Sequence, residues 1–426
     1  MKILKLPAYY APENISSSHL TGDLEAAYIN AGYEIEVYAP TPTRGVSDEV
    51  RKEYKSKKYE ETFDGKIKIH RFSMSREGKN PILRAIRYLR VNLKHYRCGK
   101  KAKDIDIIMA GSTPPTQGVL CAKVAKKLSK KYGRKVPFVY NLQDVFPDSL
   151  VHTGLAKEGG LLWKIGRKIE AYTYRNADAI IVISEDIKRN IMEKGVPEEK
   201  IHIIPNWVDT DEVKPVEKEK NNLFDELALS KDSFKVVYAG NLGKAQGISV
   251  ALDAAEILKD NKNIEFIIFG KGLEEEKIKK RAETLENVKV FPLMPADRIS
   301  EVYSLGDVSL IMCKKGTGGA GLPSKTWSIM ACMSPIIVSF DEDSELSRLI
   351  HENNCGISVP PENAKALSDA IFAAYSDRES LAKKGENCYN YVLENASARV
   401  CPAKYVELIK SFAITKSVSE KNTVTV

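Results

Sequence analysis

The chain has 426 residues, of which 43% are hydrophobic and 29% charged, and a formal net charge of +8. This composition excludes fibrous, collagen-like and wholly disordered proteins, and the length predicts roughly two to three domains. No stretch approaches the ~18 apolar residues of a membrane-spanning helix, and the first residues lack the apolar core of a signal peptide. The seven cysteines form no CxxC pair, so we expect reduced thiols in a cytoplasmic protein.

The first half of the chain alternates short apolar strands with helical spacing. A predicted strand at 2–6 leads through a polar loop into a helix that ends near Gly32, and a second strand follows at 34–39. Further strands are predicted at 105–110, 138–142 and 179–183. Alternation of strands and helices is typical of a parallel sheet covered by helices.

One segment of this half is strongly basic. From Arg84 to Lys135 there are 15 Lys or Arg residues and two acids, a net charge of +13 that leaves −5 for the rest of the chain. Apolar residues recur at helical steps from just before this segment into it: Ile82, Leu83, Ile86, Leu89, Leu93 and Tyr96. We expect this apolar stripe to pack against the core, and the cations to face an anionic partner. Anionic phospholipid fits better than nucleic acid, because no nucleic-acid-binding motif accompanies the charge.

The second half repeats the α/β pattern. The segment 205–232 has little periodicity and many charges, so it is interpreted as a linker or hinge region. Such halves bind ligands at the carboxyl ends of their strands, here in the cleft between the two halves. Strands are predicted at 235–239, 264–269, 288–291, 308–312 and 335–339. Helices are predicted at about 247–260, 273–285, 297–305, 324–333, 343–353 and 363–375.

The turn AGNLGKAQG is the first motif with a chemical meaning. Gly240, Gly243 and Gly247 allow a close backbone approach, and Lys244 adds a cation at the start of the next helix. This combination suits a phosphate. An ordinary glycine-containing turn with a solvated lysine is an equally good interpretation of the local sequence.

The second motif is GTGGAGLPSK, from Gly316. Its glycine-rich loop leads to Ser324, predicted as a helix N-cap, and to Lys325 in the first helical turn. A cation there opposes the helix dipole by about 0.3–1 kcal/mol, which an anionic ligand would reverse. Together, Lys244 and Lys325 would clamp a diphosphate without a metal. The alternative is an exposed lysine on the surface.

These motifs resemble those of retaining family 4 glycosyltransferases of the GT-B type, which act in bacterial capsule, exopolysaccharide or O-antigen assembly. The resemblance also rests on FIIFGKG (266–272), NCGISVPPE (354–362), YYAPE (9–13), VYNLQDVFPDS (139–149) and IIPNWVDTDEV (203–213). It implies an α/β fold with two Rossmann-like domains that face each other across a deep cleft. The expected parts are an acceptor-binding domain at 1–206, a nucleotide-sugar-binding domain at 207–395, a helix at 396–412 that returns to the first domain, and a flexible tail at 413–426.

The resemblance also implies roles for individual residues. Asp144 would lie near the transferred sugar, unless it is only a turn residue. Glu345 would bind ribose hydroxyls, or else only favour its helix dipole, and Asn206 would lie at the hinge. The catalytic set is Asp144, Lys244 and Lys325. The donor-binding set is Gly240, Asn241, Gln246, Phe291, Met294, Gly321, Leu322, Pro323, Ser324, Ser328 and Glu345. The acceptor-binding set is Ser16, Ser17, Ser18 and Gln143.

The chain departs from the family pattern at several positions. Ala320 and Ser328 stand where the family often has two glutamates, and Asn241 and Gln246 replace an arginine and a lysine of the turn. Serines 16–18 replace paired glycines, and Gln143 replaces the histidine of a His-Asp pair. Asp pairs occur at 104/106, 209/211 and 341/343, but none lies in the two motifs, so no metal site is assigned.

The resulting prediction is a metal-independent, retaining glycosyltransferase without cofactors. Its donor would be a nucleotide-diphosphate sugar, UDP-linked, and its acceptor a saccharide on a polyprenyl diphosphate at the inner face of the cell membrane. Two alternatives stay open: a nucleotide-sugar epimerase or hydrolase on the same scaffold, and a non-catalytic nucleotide- or membrane-binding protein. A dinucleotide oxidoreductase is disfavoured, because the first βα unit lacks GxGxxG.

Overall fold

The computed structural model describes residues 1–13, 18–76, 81–152, 156–318 and 322–423. The chain forms two compact units. The first contains Met1–Ile204 and the chain from Pro402 onward, and the second contains Pro205–Cys401.

The first unit is a sheet covered by helices. In space the strands follow the order β3-β4-β2-β1-β5-β6-β7-β8, and all neighbours are parallel except β3 and β4. The strands are β1 (Lys2–Lys5), β2 (Glu34–Pro40), β3 (Tyr59–Thr62), β4 (Ile67–Phe72), β5 (Ile107–Gly111), β6 (Phe138–Leu142), β7 (Ala179–Val182) and β8 (Ile201–Ile203). The helices are α1 (Ser18–Asn30), α2 (Asp48–Ser56), α3 (Pro81–Gly99), α4 (Gln117–Tyr132), α5 (Asp148–His152), α6 (Leu161–Asn176) and α7 (Glu185–Glu193).

The second unit is a parallel sheet of the same kind. Its spatial order is β11-β10-β9-β12-β13-β14. The strands are β9 (Phe234–Asn241), β10 (Ile264–Lys271), β11 (Val288–Phe291), β12 (Val308–Met312), β13 (Ile336–Ser339) and β14 (Gly356–Val359). The helices that follow α7 are α8 (Leu223–Glu226), α9 (Ser249–Ile257), α10 (Glu275–Ala282), α11 (Ile299–Ser304), α12 (Lys325–Ala331), α13 (Glu345–Glu352), α14 (Ala364–Ser376), α15 (Arg378–Asn395) and α16 (Val400–Thr423).

The central strands are mostly apolar, which suits a sheet that is covered by helices on both faces. All four residues of β7 and all five of β12 are buried, as expected for strands inside a doubly covered parallel sheet. The interpretation of 205–232 as a linker is wrong, and its interpretation as a hinge region stays a prediction. Leu223 and Phe224 are fully buried in the core of the second unit, so this segment belongs to that unit.

Both sheets contain a switch point, where the strand order reverses. In the second unit it lies between β9 and β12, and in the first between β1 and β5, if β4 is counted as the third parallel strand. Connections leave such neighbours toward opposite faces, which opens a crevice at their carboxyl ends where ligands bind. The topology therefore directs attention to the loops after β9, β12, β1 and β5.

Candidate functional site

The turn after β9 is held tightly by its own side chains. The Tyr238 hydroxyl donates a hydrogen bond to the Asn241 carbonyl oxygen at 2.8 Å, and the Asn241 amide donates to the Gln246 side-chain oxygen at 3.3 Å. Gly240 has φ +150°, a conformation that side chains rarely adopt. A Cβ atom at Gly243 would lie 2.8 Å from the Asn241 amide nitrogen. The backbone of Gly240 therefore favours glycine, the side chains around Gly243 would have to shift to admit a Cβ atom, and the turn presents backbone at the sheet edge.

The sequence predicted Lys244 at the start of the helix that follows the turn, and this prediction is wrong. It opens a short 3₁₀ turn, Lys244–Gln246, and α9 begins only at Ser249. Gly247 separates the two, because its left-handed backbone (φ +61°) interrupts the helical path. The Lys244 side chain is exposed, so it is a cation of the loop and not of the helix terminus.

Lys325 reaches back to the same turn from α12. Its ammonium nitrogen lies 3.9 Å from the centre of the Tyr238 ring and donates to the Ala239 carbonyl oxygen at 3.3 Å. A Cβ atom on Gly240 would lie 3.7 Å from the same nitrogen. Burial lowers the pKa of Lys325 to about 7. The lysine is thus held against the backbone of the turn, and its charge is poised near neutral pH.

Ser324 does not cap α12, so that prediction is wrong. Its backbone is already helical (φ −56°, ψ −30°), and its hydroxyl makes no capping hydrogen bond. An N-cap needs an extended backbone before its oxygen can accept from the first turn. Leu322, Pro323 and Ser328 are half-buried. Ala320 and Gly321 lie outside the described residues.

The glycine-rich loop after β12 is anchored by Asp341, which was noted in the sequence only as one residue of the acidic pair 341/343. Its carboxylate accepts from the backbone amides of Gly316 and Gly318 at 2.9 Å each. The Lys314 amide donates to the Ala245 carbonyl oxygen at 2.8 Å, which joins this loop to the turn after β9. The signal for Asp341 was its position two residues after the end of β13, at the same sheet edge.

The remaining predicted donor residues flank this edge. Phe291 ends β11 and stacks on Phe269 with ring centres 5.5 Å apart, and Met294 is half-buried against the same core. Glu345 is the first residue of α13, which is capped by the Ser344 hydroxyl. An acid there also favours the helix dipole, so both interpretations of Glu345 stay open.

The carboxyl edge of the first unit is organised by Glu13. Its carboxylate accepts from the amides of Thr43 at 2.7 Å, Arg44 at 2.9 Å and Tyr10 at 3.1 Å. This buried acid ties the loop after β1 to the loop after β2. Ser16 and Ser17 lie outside the described residues, and Ser18 opens α1.

Gln143 and Asp144 follow β6 on this edge. The backbone N–H of Gln143 donates to the Ser112 hydroxyl at 3.1 Å. The side-chain amide of Gln143 donates to the side-chain oxygen of Asn141 at 2.9 Å. Asp144 is exposed. The two residues therefore lie beside the switch point between β1 and β5, and their acceptor roles stay predictions.

Four residues of the apolar stripe of α3 do not pack in the core, so that expectation is wrong for them. Tyr96 does pack against the core of the first unit, and the side chain of Ile82 lies outside the described part of the chain. Leu83, Ile86, Leu89 and Leu93 are between 43% and 59% exposed. The buried face of the helix instead carries a set spaced four residues apart: Arg87, Val91 and His95.

This reversal follows from what α3 packs against. The loops beneath it offer aromatic and polar groups. The Arg87 guanidinium lies 5.3 Å from the centre of the Tyr9 ring and donates to the Thr43 hydroxyl at 3.0 Å. His95 contacts Phe72 edge-to-face, and burial lowers its pKa to about 3.

Two neighbouring helices extend the exposed surface of α3. Helix α4 packs against both α3 and α6. The outer face of α4 carries Lys123, Lys126, Lys127 and Lys130. The outer face of α6 carries Leu161, Leu162 and Ile165 together with Lys164 and Lys168. We call the exposed faces of these three helices the basic-apolar surface.

Two absences bear on membrane and metal chemistry. Across the described ranges, no helix is both long and apolar enough to cross a bilayer. Within the same ranges, His, Cys, Asp and Glu side chains form no group of three that could hold a metal ion. The metal-independent reaction stays a prediction.

Comparison with known proteins gives two family matches. Residues 19–212 match the model of Glycosyltransferase Family 4, and residues 219–391 match that of Glycosyl transferases group 1. The chain is 26% identical over 387 residues to the putative colanic acid biosynthesis glycosyl transferase WcaI of Escherichia coli (strain K12), covering 88% of this chain and 92% of that protein. It is 28% identical over 304 residues to the probable glycosyltransferase WbjE of Pseudomonas aeruginosa, covering 70% and 74%.

Solved structures confirm the predicted GT-B fold. Sucrose-phosphate synthase from Thermosynechococcus elongatus aligns with a TM-score of 0.71 at 16% identity, over 97% of this chain and 100% of that one. Anabaena Alr3699/HepE in complex with UDP aligns with a TM-score of 0.68 at 15% identity, over 96% and 100%. The family matches and the two Rossmann-like units agree: the chain is an enzyme of glycosyltransferase family 4, with a group 1 glycosyltransferase domain as its second unit.

Proposed function

We propose that this glycosyltransferase moves a sugar from a UDP-linked donor to a lipid-linked saccharide, with retention of configuration, in cell-surface polysaccharide synthesis. The observation that carries the proposal is the position of the Lys325 ammonium, 3.9 Å from the Tyr238 ring centre and next to Gly240 at the carboxyl end of β9. A cation at the switch point, beside a turn that exposes backbone, suits the diphosphate of a nucleotide sugar.

The chemistry follows from the leaving group. The bond between the sugar C1 and the β-phosphate oxygen breaks while the acceptor oxygen bonds to C1 on the same face. The acceptor proton passes to an oxygen of the departing phosphate. Lys325 and the exposed Lys244 stabilise the developing negative charge, so the reaction needs no protein nucleophile. Asp144 would lie near the transferred sugar or the acceptor hydroxyl.

Two relatives support the donor and the process. Anabaena Alr3699/HepE has been solved with UDP and with UDP-glucose, and WcaI is named for colanic acid biosynthesis. These ligands and this process make UDP-sugars the first donors to assay and surface polysaccharide the first process to test.

Incubation with labelled UDP-sugars, with and without a lipid-linked saccharide extract, tests the proposal. We expect label in the lipid fraction only when donor and acceptor are both present, with the anomeric configuration of the donor. Free sugar or an epimerised UDP-sugar in the absence of acceptor would instead identify a hydrolase or an epimerase. Binding of UDP-sugar without any product would identify a non-catalytic protein.

The basic-apolar surface supports a peripheral position on the inner face of the cell membrane. Leu83, Leu89 and Leu161 are more than half exposed, and α4, which packs against both of their helices, carries four exposed lysines. Exposed leucines beside cations are typical of helices that lie in the membrane interface, where each cation contributes ~1 kcal/mol near anionic lipid.

Sedimentation with vesicles tests this position. We expect the protein to bind vesicles that contain phosphatidylglycerol at low salt. High salt should release most of it, and the exposed leucines should retain a remainder. Equal binding to neutral and anionic vesicles would contradict the electrostatic part of the proposal.

A further inference from the structure

A surface groove of about 470 Å³ lies beside α3, opposite the segment that follows β4. Because β4 runs parallel to β2 and β1, this segment leaves the sheet at the carboxyl edge, where ligands of such folds bind. The groove is lined by the serines 73 and 75 and by Arg90, Leu93, Lys94 and Arg97 of α3. Nothing in the donor site described above uses it.

The lining is strongly cationic. None of the described residues around the groove is acidic, and three of them are basic. The Lys94 ammonium donates to the Ser73 carbonyl oxygen at 2.6 Å and lies over the Phe72 ring, so its position is fixed. Arg90 and Arg97 are exposed, two helical turns apart on one face, and within the described ranges neither forms an ion pair. Uncompensated cations around a concave surface attract an anion.

The groove also opens onto apolar surface. Leu93 lines it and is 59% exposed, and Leu89 and Ile86 continue the stripe along α3. A soluble anion would gain nothing from these side chains. A phosphate that carries a hydrocarbon chain would bury them.

We propose that this groove binds the diphosphate headgroup of a lipid, with the hydrocarbon lying on the stripe of Ile86, Leu89 and Leu93. The inference rests on the proposed function, in which a lipid carries the acceptor saccharide. Three cations and two hydroxyls match a headgroup with two or more negative charges. A phosphodiester lipid such as phosphatidylglycerol brings only one charge, so the groove should distinguish the two.

Vesicle binding by the full chain, without donor, tests this site. One set of phosphatidylcholine vesicles carries a long-chain polyprenyl diphosphate, and the other carries phosphatidylglycerol adjusted to the same zeta potential. We expect the wild-type protein to bind the diphosphate vesicles at least tenfold more tightly. The double variant Arg90→Gln, Arg97→Gln should lose this preference, and Arg90→Lys, Arg97→Lys should retain part of it.

The matched control removes two cations of the same surface that lie outside the groove, Lys126→Gln with Lys130→Gln. It should weaken binding to both vesicles equally and keep the preference. Equal loss of preference in the groove and control variants would overturn the proposal, as would an absence of preference in the wild type. Inorganic pyrophosphate should compete at least tenfold more weakly than the lipid. Competition of equal strength would contradict the role of the apolar stripe.

Failure of this site and failure of the proposed function give different results. Donor binding is measured in the absence of lipid, by calorimetric titration with UDP, and depends on the second unit. A protein that binds UDP but shows no lipid preference retains its donor site and loses only the groove assignment.

Discussion

The six parallel strands around the switch point follow the same order in the two sheets, but the loops at the two carboxyl edges are held in different ways. At the carboxyl edge of the second unit, glycines expose the backbone of the turn after β9, and the Lys325 ammonium donates a hydrogen bond to the Ala239 carbonyl oxygen of that turn. At the first edge, a buried carboxylate, Glu13, ties the loops together, and Arg87 fixes α3 over them. A backbone cradle suits a diphosphate that is common to many donors. Loops joined by buried side chains hold the inner face of α3 and leave its outer face exposed.

The largest expected effect tests the second edge. We expect Lys325→Ala to lower kcat/KM about 100-fold, about 2.7 kcal/mol of barrier, because it removes the charged group beside Gly240. Steady-state release of UDP measures this loss.

The matched control for that loss is Lys262→Ala. Lys262 precedes β10 at the opposite edge of the same sheet and pairs with Glu286 on the surface. The activity of the Lys262→Ala variant should equal that of the wild type. Equal activity of both variants would exclude Lys325 from the donor site.

The next effect tests the first edge through stability. Glu13→Gln should lower the free energy of unfolding by about 2 kcal/mol, because an amide group replaces an oxygen that accepts from backbone N–H groups. Urea unfolding followed by circular dichroism measures it. The control is Glu53→Gln at an exposed position of α2, which should change the free energy of unfolding little. Equal stability of both variants would mean that Glu13 does not hold the loops.

A smaller effect separates the two lysines of the second edge. Lys244→Ala should lower kcat/KM about tenfold, near 1.4 kcal/mol, since an exposed cation is screened by water. Assay at low and high ionic strength sharpens the comparison: the effect of Lys244→Ala should shrink with salt more than that of Lys325→Ala. The opposite order would identify Lys244 as the main phosphate contact.

The smallest effect is a pH dependence. Because the pKa of Lys325 is lowered to about 7, the ammonium is charged below this pH and neutral above it. Between pH 7 and pH 8 we expect kcat/KM to fall about fivefold as the proton is lost. Lys325→Arg keeps its charge and should flatten this decline. An unchanged decline in that variant would assign it to another group.

The sequence predicted the central strands of both sheets, because their apolar runs are continuous. Strand β4 was missed since its buried residues, Ile67 and Ile69, alternate with Lys68 and His70, and only one face is covered. The strand at Gly356–Val359 was noticed only as a family motif.

The site was predictable in its motifs and not in its contacts. The glycines of the turn and Lys325 were found from their types and spacing. Tyr238, whose ring lies under the Lys325 ammonium, was missed because a buried aromatic residue in a strand carries no sign of its neighbour. The orientation of α3 was wrong because apolar spacing identifies two faces but not the docking partner. Here the partner is a polar and aromatic loop layer that accepts Arg87.

The confined ammonium over the Tyr238 ring has a thermodynamic consequence for donor capture. Near neutral pH about half of the molecules carry Lys325 uncharged. A diphosphate that settles beside Gly240 favours the charged form, so capture draws a proton out of the buffer. The calorimetric heat of UDP binding should therefore change with the ionisation enthalpy of the buffer, as in phosphate compared with Tris, and this change should vanish once arginine occupies position 325.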